Sequence, residues 1–140
     1  MNNQNIPETT YLLQQLRTAS EGLAYVSETD HPFEVVHLPD VKDSNSLPSA
    51  LKNMAALPED EKVETVELPY FFRNLTRDEP EAGEEENNTA RRFRKLQELL
   101  EQNLQEVKVY RMGKRRIKAY ILGRTGAGDF AGLQTMLVET

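Results

Sequence analysis

The chain has no cysteine, no tryptophan and only two histidines among its 140 residues. Without cysteine there are no disulfides, no thiol catalysis and no thiolate metal sites. No window approaches the ~18 consecutive apolar residues of a membrane span. The opening "MNNQNIPETT" lacks the basic start and apolar run of a secretory signal. These absences set the expectation of one cytoplasmic domain over residues 1–140 with no membrane partner. The length fits that, being enough for one compact core and too little for two ordinary ones.

Charge is present and unevenly spread. The net charge is −6. Residues 1–89 carry 18 acidic and 6 basic side chains, whereas residues 90–140 carry 5 acidic and 11 basic. The acidic part suits a basic partner such as a protein that itself binds nucleic acid, and the basic part suits phosphates.

Leu12, Leu16, Ala19 and Leu23 recur at helical spacing, predicting a helix over 7–21 that Gly22 stops. Ser27 to Asp30 form a polar turn, and residues 33–38 are β-branched and aromatic enough for a strand. A short helix is expected near 48–57, and "ELPYFFRNL" lies against the core without a clear secondary structure. The loop "TRDEPEAGEEENN" has no apolar anchor. A long helix is expected from Thr89 to about Gln105, with Asn88 or Thr89 capping it and Phe93, Leu96, Leu100 and Leu104 on one face. Three strands follow, over 107–112, 116–122 and 133–139, the last two apolar on both faces. Such strands need cover on both sides. The expected fold is therefore α/β, a three-layer α/β/α sandwich with a small mixed or antiparallel central sheet.

Enzymatic motifs are weak. "RTGAGDFAG" resembles a sugar-kinase or dinucleotide glycine string, with Asp129 as the candidate base. Both need a helix directly after the glycines to face phosphate, and a strand follows instead. His31 sits among Glu28, Asp30 and Glu34, but one histidine with scattered carboxylates makes a poor metal site. His37 reads as a partly buried strand residue. The chain is expected not to be an enzyme and to hold no cofactor of its own. A second reading is a small nucleic-acid-binding protein using the basic 108–118 hairpin, "KVYRMGKRRIK", with Tyr110 and Tyr120 as stacking platforms.

Three blocks, "SEGLAYVSETDHPFEVV", "FFRNLT" and "KVYRMGKRRIKAYILGRTGAGDFAGLQTMLVET", run in order along the chain. Together they resemble the nuclease A inhibitor family. The "S-E-x-x-x-P-F-E-V" turn and the terminal "V-E-T" are its most specific parts. The resemblance implies an α/β/α sandwich and a protein inhibitor of a sugar-non-specific ββα-metal endonuclease, monomeric when free. It also implies that Glu28 enters the nuclease active site in place of the scissile phosphate. Thr140 would then reach the nuclease's catalytic Mg²⁺ or other divalent ion, and Glu139 beside it and Glu79 and Glu81 of the acidic loop are available as further partner contacts. The family carries an aromatic residue between the "FF" segment and the long helix, and this chain has none there. On the residues themselves, the strand pattern running to Glu139 and Thr140 makes those two a presented tip.

Overall fold

The computed structural model describes residues 8–77 and 83–139. In chain order they form α1 (Glu8–Ser20), β1 (Ala24–Val26), β2 (Asp30–Pro32), β3 (Glu34–Leu38), a 3-10 turn (Ser44–Ser46) and α2 (Leu47–Met54). Then come β4 (Val63–Glu67), α3 (Leu68–Phe71), α4 (Glu84–Asn103), β5 (Gln105–Met112), β6 (Arg116–Arg124) and β7 (Phe130–Val138). The fold is mixed α/β. Five strands make an antiparallel sheet in the order β3-β7-β6-β5-β4, and β1 and β2 make a separate two-stranded ribbon.

Period-2 alternation divides the apolar side chains between two clusters. Val109, Ile117, Ala119, Ile121, Ala131, Leu133 and Leu137 share the first with Leu12 and Leu16 of α1, Leu68 and Phe71 of α3, and Phe93, Leu96 and Leu100 of α4. Val36, Leu38, Met112, Tyr120, Leu122 and Phe130 share the second with Leu47 and Leu51 of α2. Phe33, Phe72 and Phe93 meet edge to face at the centre of the first, with ring centroids 5.4–6.1 Å apart. Burying each such ring stabilises the fold by about 1.5–3 kcal/mol. Arg92 of α4 donates to the Ala19 and Glu21 carbonyls, satisfying the open C-terminal end of α1 and fixing one helix against the other.

The structure departs from the sequence expectations in three places. The long helix begins at Glu84, and Gly83 is its N-cap. Neither Asn88 nor Thr89 caps it: Thr89 donates within the helix to the Glu85 carbonyl, and the Asn88 side chain accepts from Arg91. The acidic run places Glu84, Glu85 and Glu86 in the first helical turn, where the positive end of the helix dipole favours them. The unassigned segment 67–75 is the short helix α3 and the turn after it, entered directly from an edge strand, β4, that the sequence reading did not foresee. Glu64 and Glu67 of β4 lie opposite Arg111 and Lys108 of β5 and pair with them at 2.9 and 2.6 Å. The polar turn at 27–29 joins two short strands rather than linking a helix to β3.

At the far end of the sheet, the glycine-bearing β6–β7 turn is internally bonded. Asp129 is 5% exposed. It accepts from Thr125 Oγ1 at 2.5 Å and meets His37 Nε2 of β3 at 3.0 Å. No helix follows the turn, so the phosphate-cradle geometry is absent, and Asp129 ties an edge strand to a hairpin. Burial alone would raise its carboxyl. The hydrogen bonds from Thr125 and His37, with the charges of His37 and Lys42, outweigh that and hold it below the ordinary carboxylate range. A depressed folded-state pKa stabilises the fold above the unfolded value near ~4 and loses that contribution as pH falls further. Urea midpoints of the wild type and Asp129→Asn should therefore differ at neutral pH and converge as pH drops below about 4.

Candidate partner-binding site

At the opposite end of β7, the β1–β2 ribbon folds over the sheet. Ser27 is its key residue. Its hydroxyl donates to the Thr29 carbonyl at 2.8 Å, tightening the turn, and accepts from the Val138 amide at 3.0 Å. The Glu28 amide in turn donates to the Val138 carbonyl at 3.4 Å. β3 pairs with β7 only as far as Gln134. Beyond it the ribbon takes over, with Thr135 Oγ1 donating to the His31 and Pro32 carbonyls at 3.2 and 2.9 Å. The turn bearing exposed Glu28 is thus bonded to the last strand residue of the chain, and the Glu28 carboxylate is presented from a braced backbone.

Glu139 follows directly. Its amide donates to the Arg115 carbonyl at 2.9 Å, and its carboxylate meets Arg111 Nη2 at 2.8 Å. The other terminal nitrogen of Arg111 meets Glu64 at 2.9 Å. Tyr25 of β1 stacks on Phe71 with centroids 4.4 Å apart and donates its hydroxyl to the Phe71 carbonyl. Burial pushes the Tyr25 phenol up; the charges of Arg73 and Arg111 oppose this, and Glu139 adds to it. Ribbon, α3 and the end of β7 thus meet at one corner.

Of the residues singled out in the sequence, the structure brings together Glu28 and Glu139 through Val138. Thr140, Glu79 and Glu81 lie outside the described residues. The sequence reading missed Ser27 as the brace and Arg111 as the tie to Glu139. Ser27 was signalled by its place before Glu28. Arg111 carried no local signal. Around His31, Nε2 is 2.7 Å from Thr29 Oγ1, and the described residues contain no group of three or more His, Asp or Glu placed to hold a metal.

The basic hairpin is less open than its sequence implies. Lys108 and Arg111 are paired with glutamates, Tyr110 is half-buried and Tyr120 is 2% exposed. Tyr120 therefore offers no face to a nucleobase. Beside the hairpin turn lies an open groove of about 730 Å³, lined by charges of both signs, including Asp60, Glu64, Arg111 and Lys114.

A family model described as nuclease A inhibitor-like protein matches residues 10–140. The chain belongs to this family. No curated protein matches it. The nuclease A inhibitor-like family is one of inhibitors, not catalysts. Its match covers both halves of the corner, the Ser27–Thr29 turn and the end of β7. Among the described residues no helix is long and apolar enough to cross a membrane.

Proposed function

We propose that this chain inhibits a sugar-non-specific, metal-dependent endonuclease of the ββα-metal type by occupying its active site as a non-cleavable phosphate mimic. The observation that carries the reading is the bonding of the Glu28 turn to the end of β7. It gives one braced corner that holds both the Glu28 turn and Glu139, so that a single partner would meet the two carboxylates together. A nuclease cleft is basic and built for anionic oxygens, one of them on a hard divalent cation. The Glu28 carboxylate accepts the charge-assisted hydrogen bonds intended for phosphate. Thr140 offers oxygen atoms, the donor type that Mg²⁺ prefers. In the complex that ion belongs to the nuclease, where it polarises the phosphate and activates water. Neither Glu28 nor Thr140 presents a phosphodiester to cut.

Glu79, Glu81 and the half-exposed Glu139 serve in this reading as contacts around the cleft, and the acidic first half of the chain speeds encounter. The free protein is a cytoplasmic monomer, and the helices on the two sheet faces form a three-layer sandwich, supported by the two apolar clusters. The test is titration of the chain against a Mg²⁺-dependent non-specific endonuclease in a plasmid-digestion assay. Protection complete near equimolar ratio is expected. Unchanged digestion at a large molar excess would overturn the reading.

A further inference from the structure

We infer that Arg111 is a positioning residue that clasps Glu139 and thereby holds the segment just beyond β7 in its inhibitory pose. The inference rests on the proposed inhibitor reading and names the device that makes the corner rigid. The ladder between β6 and β7 ends at the pair Arg116–Val138. β3 has already stopped at Gln134. Glu139 therefore lies beyond the strand, with one backbone bond to Arg115. A residue just past the end of a ladder, held among the described residues by a single backbone hydrogen bond, is prone to fray.

Arg111 supplies the second tie. It projects from β5, two strands from β7 in the sheet, and its guanidinium reaches past β6 to Glu139 while also holding Glu64 of the edge strand β4. The fork of a guanidinium fixes the angle between the two carboxylates, which a lysine ammonium does not. Its side chain is 18% exposed, against 50% for Glu139 and 64% for Glu64. The cation is thus shielded, and this pair is screened by salt less than an open surface pair. The Nε of Arg111 is buried with no hydrogen-bond partner among the described residues. An unmet buried donor is a cost, and the guanidinium bears it in the orientation that serves the two glutamates. Tyr25, in the ribbon that carries Glu28, lies within the field of both Arg111 and Glu139. The clasp thus sits beneath the corner it steadies.

Because both glutamates are at least half exposed, removing Arg111 strands no buried carboxylate, and Arg111→Met should fold. Three full-length variants separate positioning from general stability: Arg111→Met, Glu139→Gln and Glu64→Gln. Against the same Mg²⁺-dependent endonuclease, Arg111→Met and Glu139→Gln should each weaken inhibition by roughly tenfold or more, and their combination by no more than the worse of the two. Glu64→Gln should change it by less than about threefold. Thermal midpoints of all three should stay close to that of the wild type.

Hydrogen exchange in the free protein supplies a readout that does not need the nuclease. In Arg111→Met the Glu139 amide should exchange about tenfold faster or more, while the Ile121 amide in the middle of β6 is unchanged. Wild-type inhibition by Arg111→Met would overturn the clasp, as would equal losses in Arg111→Met and Glu64→Gln. A wild-type chain that does not inhibit would overturn the functional reading alone. Exchange at Glu139 would then decide the clasp: acceleration supports it, and wild-type exchange refutes it.

Discussion

Glu28→Ala is expected to weaken nuclease inhibition by about 2–4 kcal/mol, a factor of roughly 30 to 1,000. On the proposed function, the magnitude follows from the carboxylate's place in the nuclease cleft. In the free protein Glu28 is exposed. Its removal should leave the urea midpoint nearly unchanged, as for most surface positions. A carboxylate so placed would be desolvated among donors arranged for phosphate, and deleting it would leave those donors unpaired. The loss should appear mainly in the dissociation rate, because one charge among 23 acidic residues contributes little to long-range steering. Glu28→Gln separates charge from shape: it keeps the length and halves the acceptor capacity, so it should fall between wild type and alanine. Stopped-flow association and dissociation rates with the endonuclease check all of this. A Glu28→Ala chain that inhibits like wild type would remove the phosphate-mimic role and leave the corner without its central residue.

The second large effect concerns folding. Gly132→Ala should cost more than about 3 kcal/mol, a large share of the ~5–15 kcal/mol that holds a domain of this size together. Gly132 lies where β7 is paired on both sides, opposite Val36 of β3 and Leu122 of β6. A methyl group there would stand 1.8 Å from the Ile121 carbonyl oxygen and 2.9 Å from its carbon. Both atoms are backbone within the ladder, so no rotamer change relieves the clash. Relief requires β7 to separate from β6, and β7 carries Val138 to the ribbon. The variant should therefore lose stability and inhibition together. Gly126→Ala is the contrast, since its methyl would meet only the Glu8 carboxylate, at an ordinary 3.4 Å. A urea titration of the two variants beside wild type tests the difference. A wild-type midpoint for Gly132→Ala would rule out the pairing of Gly132 with Leu122 across β6 and β7.

The elements legible in the sequence are those whose apolar spacing is long and regular: α1, the body of α4, and the strands β3, β5, β6 and β7. What escaped was short or disguised by charge. The strands β1 and β2 have three residues each, too few for a period to show. β4 is a sheet edge whose sequence VETVE places glutamates where a buried strand would have valines, and their cross-strand partners in β5 are more than 40 residues away. The first turn of α4 read as loop because three successive glutamates give no apolar stripe, although acidic residues favour a helix start.

The candidate site divides in the same way. The turn that carries Glu28 was legible as a polar stretch before Pro32 and Phe33, whereas the role proposed for Glu28 came from the family resemblance. Arg111 was not legible, because its value lies in contacts 28 and 47 residues distant. The reading of Tyr120 as a stacking platform failed for a related reason. Alternation locates a side chain on a face of a strand, and only the packed helix α2 on that face determines whether it meets solvent.

The hydrogen bond between Ser27 and Val138 spans 111 residues of chain. Contacts of such separation close late, after the intervening segments have collapsed. On the ribosome the consequence is temporal. The Glu28 turn is synthesised long before its brace, so a nascent chain displays no finished corner until Val138 has emerged. A product cut short anywhere before that residue would carry the acidic turn without the backbone that aims it.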